Sequence, residues 1–305
     1  MTTKNFLPAY PSDASLDEIE GVALALARLA GERIVDTLEH EITVEYKDKA
    51  RDGCAPTNPV SEVDHAIEML LRERLAVRFP DHGIIGEEVG EGADPDCEYV
   101  WVVDPVDGTG NFVNGFPLFA SSIGVLHYGR PIIGAVWCST GHALRPGVYH
   151  ARRGGILRFE GEPVPAARPS VGVSRHLGAA PGGAPGRLKA LDTRVTGSAA
   201  IECAFVAAGI FQSTIFSAPS IWDVAGGICL VQAAGHVAFT RGSEGWLDFE
   251  RFDLPSVVGG DRMPTLRDWR QPLILGSEEA AGRLRHSIRG PRWWLRLKWR
   301  LLRRT

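Results

Sequence analysis

Cysteine is sparse in this chain: five residues, at positions 54, 97, 138, 203 and 229, scattered without a C-x-x-C pair and mostly inside apolar runs. Residues of that kind read as buried free thiols and favour a reducing cytoplasm. The first thirty or so residues lack a basic start followed by a continuous apolar stretch, so no signal peptide is expected. No window reaches the roughly 18 apolar residues of a membrane span, which argues against an integral protein. Internal repeats are also absent.

What is present is an ordinary globular composition. The chain has 305 residues, 44% hydrophobic and 23% charged, enough for one large domain or two that share a core, and outside the disordered and fibrous classes. The net charge of -4 conceals an asymmetry. Arg283, Arg285, Arg289, Arg292, Arg296, Lys298, Arg300, Arg303 and Arg304 crowd the C-terminal end with no acid among them, which leaves the body with an excess of about 13 acids.

Ser15-Leu16-Asp17-Glu18 has the form of a capping box. It predicts a helix whose apolar face is Ile19, Val22, Ala23, Leu26, Leu29, Ala30 and Ile34. A second helix is predicted over about 62–77. Between them, residues 41–46 alternate like a half-buried strand, and 47–59 form a polar loop. Strand-like runs separated by turn residues from 99 to 136 predict antiparallel sheet. The Pro- and Gly-rich stretch 160–185, with its one short apolar run Val171-Gly172-Val173, reads as a crossing between subdomains. Beyond it, a serine-capped helix over 198–209, a strand over 211–216 and a helix over 224–234 imply an α/β layer. The expected division is 1–165, an α+β subdomain; 166–276, an α/β subdomain; and 277–305, a basic tail.

The densest chemical signal is the apolar strand Trp101-Val102-Val103, which ends abruptly in Asp104-Pro105-Val106-Asp107-Gly108-Thr109-Gly110-Asn111-Phe112. Hard divalent cations take oxygen ligands, and Asp104 and Asp107 converge on one point if the Pro-stiffened turn folds back, with the Val106 carbonyl between them. Gly108 and Thr109 then offer backbone amides for a phosphate. Asp-Pro and Asp-Gly are also plain turn dipeptides. Two further acidic pieces are ambiguous alone: Gly86-Glu87-Glu88 has the look of a solvated surface, and Asp223 in Ile221-Trp222-Asp223-Val224 that of a helix N-cap.

Taken together and in order, Gly86-Glu87-Glu88, Asp104-Pro105-Val106-Asp107-Gly108-Thr109, Gly197-Ser198-Ala199-Ala200 and Trp222-Asp223-Val224-Ala225-Gly226 resemble the signature of the inositol monophosphatase family over roughly residues 16–250. The resemblance implies the layered αβαβα sandwich of the sugar-phosphatase superfamily, α/β (α+β) in class, and a homodimer. It implies two or three Mg²⁺ per site. Glu87 and Asp104 with the Val106 carbonyl would hold one, and Asp104, Asp107 and Asp223 a second, with Asp104 as the bridge. Asp64 matches the aspartate that works with Thr109 to orient the attacking water, and Glu88 stands behind the ligands. Asp107, Gly108, Thr109 and Ala199 match substrate contacts. The implied reaction is hydrolysis of a small phosphate monoester, inositol monophosphate above all, by metal-activated water. Fructose 1,6-bisphosphate, histidinol phosphate and 3'-phosphoadenosine phosphate are the alternatives, and a weakly catalytic binding or membrane-associated protein is the alternative outside enzymes.

Several positions depart from the family pattern. Phe216 stands where the inositol-preferring enzymes have a glutamate, seven residues before Asp223, and Asn58 where the family has an aspartate. The loop lysine is matched only loosely, by Lys47 or Lys49. Gly110 is expected to widen the floor of the pocket, and residues 140–153 are unusual for the family. The resemblance does not cover the tail. Its Trp293, Trp294, Leu297 and Leu301 among cations suit a strap packed on the body or on a second subunit, or peripheral contact with an anionic membrane through residues 283–305. The acidic body argues against nucleic acid.

Overall fold

Ser12, not Ser15, opens the first helix. A computed structural model describes residues 10–47, 59–90, 93, 97–165, 173, 175–180, 191–242, 245–255 and 263–288. In it the Ser12 side chain accepts from the Ser15 amide, and helix α1 runs Asp13–Thr37. Glu18 does not fold back on the cap; it pairs with Arg78 at the end of the second helix. The expected face is otherwise the one that packs: Ile19, Ala23, Leu26, Ala30 and Ile34 are buried, with Leu16, while Val22 and Leu29 lie at its margin.

After α1 come strands β1 (Val44–Tyr46) and β2 (Pro59–Ser61), helix α2 (Glu62–Arg78), and strands β3 (Gly83–Gly86) and β4 (Tyr99–Asp107). A short helix α3 (Thr109–Val113) leads into β5 (Ala120–His127), β6 (Arg130–Cys138), β7 (Gly147–Arg152), β8 (Arg158–Phe159) and β9 (Glu162–Pro163). The second half holds β10 (His176–Ala179), β11 (Leu191–Arg194), α4 (Ala199–Ala207), β12 (Ser213–Phe216) and α5 (Ile221–Ala233). It closes with β13 (Val237–Gly242), β14 (Gly245–Asp248), β15 (Leu273–Gly276) and α6 (Glu278–Ser287).

Strands β3 to β9 form one seven-stranded sheet in sequential order. It is antiparallel as the alternating runs predict, except that β3 joins β4 in parallel. The second sheet has the order β11-β10-β12-β15-β13-β14. Its strand β10 lies in the 160–185 stretch that reads as a crossing, and β11 just beyond it, where no element is expected. They are short and polar at one end, so no alternation announces them. Val171, Gly172 and most of the 47–59 loop lie outside the described residues.

The layers follow from the faces these elements bury. Helices α1 and α2 cover one face of the first sheet, where Ile34, Ile67 and Leu71 are fully buried and each contributes about 1.5–3 kcal/mol. Helices α4 and α5 fill the space between the two sheets. Helix α6 packs on the far face of the second sheet, with Arg285 over the Phe239 ring. The order is α, β, α, β, α. The tail residues Trp293, Trp294, Leu297 and Leu301 lie outside the described residues. Among the described residues no helix is long and apolar enough to cross a membrane.

One contact between layers matters for the site. Helix α5 lies main chain against main chain on the first sheet: a Cβ on Gly226 would stand 2.6 Å from the Ile123 carbonyl oxygen, and one on Gly134 would stand 2.2 Å from the Gly226 oxygen. No larger residue fits there without moving the helix that carries Asp223.

Candidate active site

Two aspartates three apart on a regular strand point to opposite faces. Here they do not, because the pairing of β4 with β5 slips between Asp104, opposite Ser122, and Asp107, opposite Ala120. Three steps on one strand match two on the other. That one-residue bulge, at a position where Pro105 need not donate to the ladder, turns both side chains the same way. The N-terminus of α5 brings the third acid. Asp223 is the third residue of that helix and not its N-cap: Ser220 caps, and its amide donates to Asp223 Oδ2 at 2.8 Å.

The result is a cluster in which carboxylate oxygens of Asp104, Asp107 and Asp223 lie within 4.8 Å of one another. They line a cavity of about 570 Å³ shared with Glu87, Val106, Gly108, Thr109, Ser198 and Ala199. Every Asp107 oxygen is engaged: Ser198 Oγ and the Ala200 amide (2.9 Å) donate to Oδ2, and the Ala199 amide (3.3 Å) to Oδ1. Burial still pushes Asp107 up to about 6 against those bonds, with Glu87 adding repulsion. Asp223 is pushed up to about 8 by burial and by Asp107. Asp104 stands well above the usual carboxylate range, through burial first and then Glu87, Asp107 and Asp223.

These residues fit a bound cation. Asp104 Oδ1 is buried with no hydrogen-bond donor, a costly state for a carboxylate. No lysine or arginine among the described residues lines the cavity. An all-oxygen, multiply anionic pocket is the donor set of a hard divalent metal.

Glu87 lines the same cavity but stands apart from the three-aspartate group, because Lys47 Nζ lies 2.8 Å from its Oε1 and 2.7 Å from Glu88 Oε1. Of the two lysines that match loosely, Lys47 is the one on the glutamates; Lys49 and Asn58 lie outside the described residues. Glu88 is held behind the cavity wall, its carboxyl raised by burial against the pull of Lys47. His65, beside Asp64, is an exposed helix residue 3.9 Å from Glu88.

Asp64 and Thr109 are brought together. Asp64 is the third residue of α2, bonded to the Ser61 cap, and its Oδ1 lies 3.0 Å from Thr109 Oγ1. Thr109 Oγ1 also lies 2.9 Å from the Val106 carbonyl, so one hydroxyl proton has two acceptors and the oxygen lone pairs remain free for a third partner. Gly108 makes the turn with φ +86°, which a side chain would strain. At Gly110 the nearest described atom to a Cβ would be Pro59 Cγ at 4.0 Å.

Four contributors carry no marked role in the sequence. Ser198 and the Ala200 amide grip Asp107. Asn111 Nδ2 donates to the Leu118 (2.6 Å) and Thr196 (2.8 Å) carbonyls, tying the loop after β4 to the segment before α4. Glu202, a lone acid in an apolar helix, accepts from Thr196 (2.8 Å) and Thr214 (2.7 Å); its isolation was the available signal.

Glu202 is pushed up to about 7 by burial, against the opposing pull of the Thr214 and Thr196 bonds. A carboxyl whose folded pKa exceeds its unfolded value, about 4.3, stabilises most below the unfolded value and loses that contribution as pH rises through the folded one. Glutamine has the shape of the protonated acid. Glu202→Gln is therefore expected to flatten the stability loss of the metal-free protein from about pH 5 to pH 8, keeping on the order of 2–3 kcal/mol at the alkaline end. Denaturant titration at each pH reads this, and parallel losses in both proteins would remove Glu202 as the titrating group.

Comparison with known proteins agrees with this geometry. A sequence model of the inositol monophosphatase family matches residues 15–261. Inositol monophosphatase 1 of Solanum lycopersicum is 33% identical over 277 residues, covering 84% of this chain and 94% of its own length. A fructose-1,6-bisphosphatase/inositol-1-monophosphatase of Aquifex aeolicus is 30% identical over 220 residues, covering 67% and 77%. Among solved structures, the extragenic suppressor protein SuhB of Bartonella henselae superimposes with a TM-score of 0.69 at 23% identity, covering 90% of this chain and 99% of its own, which shows the shared layered fold. On the strength of the family match and the length of the tomato alignment, the chain belongs to the inositol monophosphatase family, and with it to the phosphoric monoester hydrolases.

Proposed function

We propose that this protein is a Mg²⁺-dependent phosphatase of small phosphate monoesters, inositol monophosphate first among them. The observation that carries the reading is the buried three-aspartate cluster with the Asp64–Thr109 pair in the same cleft. Glu87, Asp104 and the Val106 carbonyl would hold one cation, and Asp104, Asp107 and Asp223 a second. When bound, such cations neutralise phosphoryl oxygens and acidify water. The chain does the rest. Asp64 holds the Thr109 hydroxyl so that its oxygen accepts from, and aims, the attacking water. The Gly108 and Thr109 segment and Ala199 bound the space for the phosphate. No covalent nucleophile is needed, consistent with the described cysteines, three of them buried and Cys97 partly so.

Among the described residues the cavity wall carries acids and no lysine or arginine, which favours a monophosphate over a bisphosphate, whose second phosphate would meet no charge-assisted donor from those residues. Val195, Phe216, Ala218 and Pro219 line the cavity as an apolar wall. That wall supports a second reading, a monoester whose alcohol carries fewer hydroxyls than inositol. Phosphate release from inositol 1-phosphate, an aryl-alkyl phosphate and fructose 1,6-bisphosphate, with Mg²⁺ and with chelator, tests both. Both monoesters are expected to exceed the bisphosphate in kcat/KM by at least about tenfold, the loss of one charge-assisted contact. Release that is absent, or indifferent to chelator, would overturn the reading; preference for the aryl-alkyl ester would select the second substrate.

A further inference from the structure

The strand end that carries Glu87 is held on both of its edges by residues outside the cleft. On one edge the Glu88 and Val89 amides donate to the fully buried carboxylate of Glu68, at 2.7 and 3.0 Å, and Glu68 in turn pairs with Arg72 at 2.8 Å. On the other edge stands Arg267. Its Nη1 donates to the Gly86 carbonyl and, at 3.0 Å, to the Val89 carbonyl, and its Nη2 donates to the Glu87 carbonyl at 2.7 Å. The same guanidinium lies 4.8 Å from the ring centre of Trp222, the residue before Asp223. One planar side chain therefore bonds the backbone under Glu87 and stacks on the helix turn that presents Asp223. Arg267 does not line the cavity, and it lies beyond the matched residues 15–261.

We propose that Arg267 is a positioning residue for the metal site, fixing the Glu87 strand end relative to Asp223 so that both carboxylates serve one set of cations. The inference rests on the metal reading above. The chemistry suits arginine and not lysine. A rigid fork with five donors satisfies three carbonyls and still offers a flat face to an indole, whereas an ammonium is a compact point donor without that face. The Glu87 side chain is tied at its tip to Lys47, and the backbone beneath it sets how far that carboxylate reaches. Partners of this kind, once removed, lower metal affinity by 10- to 100-fold in other metal sites.

The experiment is a Mg²⁺ titration of the thermal midpoint without substrate, run beside the Mg²⁺ dependence of phosphate release, for wild type, Arg267→Ala, Arg267→Lys and Asp104→Asn. Wild type is expected to rise in midpoint with Mg²⁺ and Asp104→Asn not to. Arg267→Ala is expected to raise the half-saturating Mg²⁺ about tenfold in both readouts, with kcat at saturating Mg²⁺ within about threefold of wild type. Arg267→Lys keeps the charge and the stem, so it folds should the alanine variant fail, and it too is expected to need more Mg²⁺. A lowered metal-free midpoint with wild-type half-saturation in the lysine variant would make Arg267 merely structural and overturn the proposal alone. No Mg²⁺ response in wild type would overturn the metal reading and the proposal together.

Discussion

Asp104→Asn is expected to lose at least about 10³-fold in Mg²⁺-dependent phosphatase turnover, since metal stabilisation of the transition state is worth several kcal/mol and each ~1.4 kcal/mol is a decade. The same variant is expected to fold, and in the absence of metal to match or exceed wild type in thermal midpoint. The reason is the sign of the electrostatics. Burial first, and then repulsion from Glu87, Asp107 and Asp223, raise the Asp104 carboxyl well above the ordinary range. An amide of the same shape is neutral at every pH, so it never brings a charge into that crowd. Loss of activity with gain of metal-free stability separates a ligand from a scaffold residue. Asp223→Asn should behave alike, because Asp223 is crowded by Asp107 and Glu87. Retained turnover in both variants would sink the metal assignment.

The second large effect is expected at Thr109. Valine has the same outline but no hydroxyl, so Thr109→Val deletes the oxygen that lies between Asp64 Oδ1 at 3.0 Å and the Val106 carbonyl at 2.9 Å. If that oxygen aims the attacking water, kcat falls about 10²–10⁴-fold, the span of a positioned proton-transfer partner. Half-saturating Mg²⁺ and KM should stay near wild type, because no carboxylate has moved. Thr109→Ser restores the hydroxyl and should recover most of the rate. A valine variant within tenfold of wild type would leave Asp64 and Thr109 as cap and turn residues only.

The strand that stops at Asp104-Pro105-Val106-Asp107 is legible in sequence because an apolar run ending in acids has few uses. Helix α4 is legible from its serine cap, and α2 and α5 as apolar helical runs, although α5 opens at Ile221 and not 224 because Ser220, not Asp223, is its cap. The family resemblance, more than any single motif, turned Glu87 and Asp223 from ambiguous acids into members of one cleft. Other features left no local trace. The cap of α1, Ser12, lies three residues ahead of Ser15, although only Ser15 has the glutamate that completes the capping-box pattern. The partners of Asp107 lie 91 to 93 positions away, and the carbonyls bonded by Arg267 lie 178 to 181 positions away. Periodicity reports which face of an element is buried, and says nothing about which distant backbone atoms will meet it. Phe216 shows the complementary case: its departure from the inositol-preferring pattern was visible, and the structure seats it in the core as part of an apolar cavity wall.

The bedding of Gly226 between Ile123 and Gly134 also sets an order of events during synthesis. The ribosome delivers β4, with Asp104 and Asp107, long before it delivers α5. Until that helix lands on β5 and β6, a nascent chain presents two of the three aspartates and a first sheet whose α5 face is open. On the proposed metal reading, cation capture by all three aspartates waits on the docking of α5 between the sheets, so metal retention would mark a chain in which that helix has landed.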